Sequence, residues 1–384
     1  MPRIAYMRSL AASSLLAVFA CAAAADAPPA EQMKGRRDYF AGVDLSYVNE
    51  MEECGAKFRV AGKERDPYEL FAEAGANLAR LRLWNSPTWT KYSTEADVTR
   101  SIVRAHRAGM EVLLDFHYSD DWADPQKQTI PAAWANDIDD ADKLAAHVYE
   151  YTRDVLARLD ARGHLPYMVQ VGNEINTQML RAAKTKGVPI DWARNAKILN
   201  AGVRAVREAH DASGNSPLVM LHVAQPENVE PWFAAAITAG VRDFDLIGVS
   251  YHRKWSSLDL PQAEAALTRV HKRFNRPIVI VEVSYPFTLR DAGDKMSNLL
   301  GEDSLHRGYP ATARGQQSFM NDVVQMTLRA GGVGVVYWEP AWVSTGCATR
   351  WGTGSAWENA TLFDFRKKNE LTPAAEYLKK IRGL

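Results

Sequence analysis

The chain of 384 residues is too long for one ordinary small domain, so its length admits two modest domains or one large α/β barrel with insertions. Hydrophobic residues at 47% against 24% charged exclude the low-hydrophobicity, high-charge composition that keeps chains disordered. Lys plus Arg (46) balances Asp plus Glu (46), which removes the basic field that nucleic acid or an anionic membrane requires and points to a neutral ligand.

Residues 1–25 read as an address. Arg3 and Arg8 precede the apolar run Leu10 to Ala20, and the small-residue string CAAAADA follows, the order of a secretory signal cleaved near Ala25. Residues 26–384 are then one exported domain, periplasmic or extracellular. No later stretch approaches the roughly 18 apolar residues of a membrane span. VFAC, ending at Cys21, permits lipoprotein acylation instead, but bulky Phe19 counts against it.

Beyond the signal, short apolar runs with strand character alternate with helical patterns, the signature of parallel βα units. The strand candidates are Phe40–Val48, Leu78–Trp84, Glu111–Tyr118, Tyr167–Glu174, Leu218–Ala224, Leu246–His252, Ile278–Tyr285 and Gly334–Pro340. The intervening helices have readable ends. Asp66, Pro67 and Glu69 supply N-cap, N1 and N3 of the first, a capping box, and Gly75 closes it. Thr94 and Asp97 open the second, which stops at Gly109. Further helices are expected at Ala141–Arg162, Asp191–His210, Val229–Ala239, Gln262–Phe274, Thr312–Ala330 and Ala374–Ile381. This strict alternation predicts an α/β fold, a single (β/α)8 barrel with extended loops on its catalytic face. The runner-up, a doubly wound open sheet, would more naturally carry a Gly-rich turn after its first strand, and no GxGxxG occurs.

Closure of a barrel makes its first and eighth strands neighbours. The loops carrying Cys54 and Cys347, the two cysteines left after the signal, then lie side by side, and a disulfide between them is expected in an exported protein; two separate buried thiols are the alternative.

Barrel enzymes place chemistry at the C-terminal ends of their strands, and nearly every strand here ends in polar residues: Arg82, Asp115 and His117, Asn173 and Glu174, His222, Tyr251 and His252, Glu282, Trp338 and Glu339. Glu174 and Glu282, on the fourth and seventh strands, should face each other across the mouth. Paired carboxylates flanking a gap are the apparatus of glycoside hydrolysis, retaining at a separation of about 5–5.5 Å and inverting at about 6.5–9.5 Å. Taken singly, either acid could be tied to a neighbouring arginine. Arg82 could be an interior salt bridge or a group that keeps a carboxylate ionised. His117 and Tyr251 could be satisfied core residues, and Trp338 either packing or the floor under a pyranose ring. Glu339, turned away from Trp338 by the pleat, should be structural.

The motifs GVDLSYV, LARLRLW, LLDFHYSDDWADP, VGNEI, IGVSYH, VEVSYP, YWEPAW and WENATLFDF together resemble glycoside hydrolase family 53, the endo-β-1,4-galactanases. The resemblance implies a retaining double displacement with Glu174 as acid/base and Glu282 as nucleophile, Arg82 and Tyr251 holding Glu282 anionic. It further implies that Asn173 bonds the sugar 2-hydroxyl, that His117 lines the catalytic subsite and that Trp338 is the platform. Trp89 and Trp122 would stack neighbouring galactose units or simply pack. No cofactor is required. Some bacterial relatives carry calcium between the loops after strands seven and eight, where Asp291, Asp294 and Asn298 offer oxygens; Lys295 suits a dense cation site poorly, and a solvated polar loop is the favoured alternative. The expected partner is a polysaccharide, β-1,4-galactan, met by a monomer. The competing functions are the same chemistry on mannan, xylan or cellulose, and a non-catalytic glycan-binding barrel, against which the acid pair argues.

Overall fold

The computed structural model describes residues 39–183, 185 and 188–380. The expected signal segment lies outside them. Eight strands, β1 (Phe40–Asp44), β2 (Leu78–Leu83), β3 (Glu111–Phe116), β4 (Met168–Val171), β5 (Leu218–Ala224), β6 (Leu246–Ser250), β7 (Ile278–Val283) and β8 (Gly332–Tyr337), form a closed barrel. All pairings in it are parallel, and β1 closes the ring by pairing with both β2 and β8.

Around the barrel run α1 (Pro67–Ala74), α2 (Glu95–Arg107), α3 (Ala141–Asp160), α4 (Trp192–Arg207), α5 (Pro226–Thr238), α6 (Leu260–Phe274), α7 (Ala313–Arg329) and α8 (Tyr377–Lys380). Asp66, Thr94, Asp140, Asp191 and Thr312 each cap a helix through a side-chain oxygen, and Gly75 ends α1 with φ 115°. The capping box expected at Asp66 does not form, because Glu69 turns to Arg65, 3.9 Å away. The one seen is Asp259 with Gln262, which starts α6 two residues earlier than expected. Among the described residues no helix is long and apolar enough to cross a membrane.

Period-two alternation sorts the barrel interior into layers. Phe40, Leu78, Leu113, Met168, Leu218, Met220 and Leu246, with Val279, Val281 and Val336, fill the floor as one apolar cluster. Further along the same strands, two residues on for Arg80, Asp115, Gln170 and His222 and four for Asp44 and Ser250, the inward positions turn polar, and all are buried. Glu282 joins this layer through an irregularity. Against β6, Val249 pairs with Ile280 and Ser250 with Glu282; against β8, Val335 pairs with Ile280 and Tyr337 with Val283. Strand β7 therefore carries one extra residue on both sides. Regular alternation with Val279 and Val281 inward would send Glu282 out; the bulge turns it into the mouth.

Cys54 and Cys347 are bonded, with Cα atoms 5.7 Å apart, joining the loops after β1 and β8. The same two loops also stack Tyr47 on Trp342 at 4.1 Å between ring centroids.

Candidate active site

Strand β4 ends at Val171, three residues short of the expected Glu174. Gly172 (φ 86°) and Glu174 (φ 44°) both lie in the left-handed region, which breaks the ladder and swings the Glu174 side chain back over the mouth. Such a φ is strained for glutamate and persists only because the surroundings fix it. Gln128 Nε2 donates to Asn173 O and Glu174 O at 2.9 and 3.1 Å, and the Glu174 N–H donates to His222 Nδ1 at 3.2 Å.

One oxygen of Glu174, one ring nitrogen of His222 and one oxygen of Glu282 all lie within 4.8 Å of one another. The two carboxyl groups thus approach each other closely, nearer the spacing of retaining glycosidases than the wider gap in which the base of an inverting enzyme holds its water. Their environments differ. Ser250 Oγ donates to Glu174 Oε1 at 2.7 Å, but burial and the charge of Glu282 push the Glu174 carboxyl well above the usual range. Burial opposes ionisation of Glu282 too. There the Arg80 guanidinium, with Nη2 2.8 Å from Oε1, and His252, with Nε2 3.9 Å from Oε2, outweigh it and hold the group well below the usual range.

Arg80 organises the polar layer. Its Nη1 meets Asp44 at 2.7 Å, its Nη2 meets Asp115 and Asn173 at 2.8 Å each, and its Nε donates to Gln170 at 3.3 Å. Burial raises the Asp44 pKa despite Arg80, whereas in Asp115 the effect of burial is overcome by Arg80 and His117.

The expected partners of Glu282 need correction. Arg82 lies to one side, salt-bridged to buried Glu339 at 3.2 Å and enclosed by the rings of Tyr47, Trp84 and Trp122. Tyr251 meets Glu282 only through backbone, its N–H donating to Glu282 O at 2.7 Å, while its hydroxyl donates to Leu258 O at 3.0 Å. Arg80 and His252 take their place. Arg80 shares the inward face of β2 with Arg82, two residues below it, and that spacing was the available signal.

The remaining candidates surround the pair. Asn173 Oδ1 receives Arg80, and its Nδ2 gives one hydrogen to Ala123 O at 2.8 Å, leaving the other. His117 is buried between Asp115, 3.1 Å from Nε2, and the Ala123 N–H, 3.1 Å from Nδ1. Trp338 stands edge-to-face on Trp357 at 4.5 Å, with His252 and Trp122 at 6.2 and 5.9 Å. Trp122 is half-buried beside it. Trp89 is farther out, against Trp84 at 5.0 Å and Trp351 at 5.8 Å.

Between the loops after β7 and β8, Asp294 accepts from Ser344 and from Ser355 N, and burial, with smaller contributions from Asp294 and Asp291, lifts the Glu358 pKa to about 7. Glu358 Oε2 and Asn298 Oδ1 are buried with no hydrogen-bond partner among the described residues. The two unpaired oxygens are donors that suit a hard cation such as calcium, although Asp291, Asp294 and Glu358 do not bring their carboxylates together as one cluster. Glu358 belongs to this set and was not anticipated from sequence.

The profile of Glycosyl hydrolase family 53 matches residues 40–378. The chain belongs to this family. It is 48% identical over 371 residues to the arabinogalactan endo-beta-1,4-galactanase of Cellvibrio japonicus (strain Ueda107), covering 96% of each. It is 34% identical over 349 residues to the endo-beta-1,4-galactanase of Bacillus subtilis (strain 168), covering 86% of this chain and 78% of that one. Among solved structures, the family 53 catalytic domain of Ignisphaera aggregans superposes with a TM-score of 0.79 at 30% identity, covering 90% of this chain and 96% of that chain. This family 53 chain is a glycoside hydrolase.

Proposed function

We propose that the protein is an exported, retaining endo-hydrolase of β-1,4-galactan, acting through Glu174 and Glu282. The observation that carries this is the pair itself: oxygens within 4.8 Å, one carboxyl pushed up and the other held down. The galactanase relatives support the choice of sugar. The leader-like residues 1–25 and the Cys54–Cys347 bond support export.

Ionised Glu282 attacks the anomeric carbon while neutral Glu174 gives its proton to the departing glycosidic oxygen. The bond to the leaving galactose breaks as the ester to Glu282 forms. Esterification removes the negative charge that kept Glu174 protonated, so Glu174 becomes an acceptor, takes a proton from an incoming water, and the hydroxide displaces Glu282. Arg80 keeps Asp115 as counter-charge throughout, so the cycle leaves no unpaired buried cation. The second Nδ2 hydrogen of Asn173 remains for a sugar hydroxyl, and Trp338 would offer a face for the ring. A calcium ion held by Asp291, Asp294, Asn298 and Glu358 would tie the two loops together and takes no part in these steps.

Incubation with linear β-1,4-galactan, mannan, xylan and cellulose tests the substrate. Galacto-oligosaccharides released from galactan alone are expected; turnover of another polymer with none of galactan contradicts the assignment.

A further inference from the structure

His222 and Ser250 are fully buried, and nothing in the mechanism above uses them. We propose that they form a one-way hydrogen-bond relay, His222 Nε2–H to Ser250 Oγ–H to Glu174 Oε1, which reserves Oε1 as an acceptor and confines the catalytic proton to Oε2. This rests on the assignment of Glu174 as acid/base.

The direction follows from groups that can only donate or only accept. The Glu174 backbone N–H has His222 Nδ1, at 3.2 Å, as its acceptor, so that nitrogen presents a lone pair. Gln170 Nε2 lies 3.0 Å from the same atom, and its amide orientation is set by Asp115 Oδ1 at 2.6 Å from Nε2 and the Arg80 Nε donor at 3.3 Å from Oε1. Asn173 Oδ1 is also near, at 3.1 Å, but it already receives Arg80 and Gln170. Burial drives the His222 pKa down to about 3, so the ring carries one proton, and it sits on Nε2. Nε2 is 2.8 Å from Ser250 Oγ, which leaves the hydroxyl hydrogen for Glu174 Oε1 at 2.7 Å. Ser250 and His222 are positioning residues. They keep the neutral acid from turning its proton inward and stabilise the carboxylate when it acts as base.

The charged groups facing Glu174 are Glu282 from β7, Asp124 from the loop after β3 and Arg80 from β2, and the neutral His222 ring from β5 is the other titratable group against it. All stay in place in Ser250→Ala, so its pH profile isolates the relay. For kcat/KM on a linear galacto-oligosaccharide, the alkaline limb should move up by about one pH unit, the worth of one hydrogen bond to a carboxylate. The acid limb and KM should stay put, kcat should fall, and Ser250→Thr should restore the profile. A downward shift means that the relay runs from Glu174 towards His222, and no shift means that Ser250 only packs; either overturns the inference. Should Ser250→Ala not fold, nitrogen-15 NMR of histidine-labelled wild-type protein decides, with Nε2–H expected and Nδ1–H contradicting. Glu174→Ala separates the two layers of argument: an alkaline limb that survives there removes the acid/base assignment itself, whereas its loss together with an unshifted Ser250→Ala removes only the relay.

Discussion

Arg80 Nη2 stands 2.8 Å from Glu282 Oε1, making the residue at the middle of β2 the counter-ion of the acid on β7. Arg80→Met should leave Glu282 and Asp115 as buried, uncompensated charges, a loss of about 3–5 kcal/mol in stability. Because Glu282 must be ionised to attack and its pKa is held low, wild-type activity should persist until the pH falls through that low value. In Arg80→Lys, which keeps the charge but loses the fork, the acid limb should move to higher pH, each unit being about 1.4 kcal/mol of lost support. Denaturant melts and kcat/KM profiles check both, and an unmoved acid limb in either variant contradicts the role of Arg80.

Glu282→Ala should lower kcat by at least about 10³-fold while polymer binding remains. Azide, small enough for the vacated space, should then yield the α-galactosyl azide. Undiminished hydrolysis, or rescue giving only the β-azide, excludes Glu282 as nucleophile.

Reducing the Cys54–Cys347 bond, which spans a sequence separation of 293, should cost about 2–4 kcal/mol. Calorimetry with and without reductant should show the melting temperature falling by a few degrees. Unchanged melting, with no alkylatable thiols before reduction, means that the bond exists but the Tyr47–Trp342 stack and neighbouring contacts suffice to hold the loops.

Chelation by EGTA should lower the melting temperature, and added calcium should restore it, since the orphaned oxygens of Glu358 and Asn298 lose their partner. Glu358→Gln should abolish the calcium response while leaving kcat nearly intact. A melting temperature indifferent to EGTA returns the segment to a solvated polar loop.

The barrel was legible because its signals are local: alternating strand and helix periods, capping Asp and Thr residues, and the Cys54/Cys347 proximity that follows from closure. Glu174 and Glu282 stood out as acids ending apolar runs. Which arginine meets Glu282 did not, because Arg80 and Arg82 share the inward face of β2 and differ only by a layer of about 7 Å, a height that pleat alone does not resolve. The β7 bulge that aims Glu282 inward depends on hydrogen-bond register with two neighbouring strands, and the left-handed φ of Glu174 on the packing around it. Neither is written in the residues VEV or GNE. The strand-end positions of His222 and His252 were visible, but their partners come from other strands and had to be assembled in space.

Proton NMR of galactan hydrolysis at early times tests the central claim most directly, because the double displacement proposed for Glu174 and Glu282 keeps the anomeric configuration. The account predicts that the newly formed reducing ends appear first as the β-anomer, with the α-anomer growing in later by mutarotation. Initial appearance of the α-anomer contradicts it.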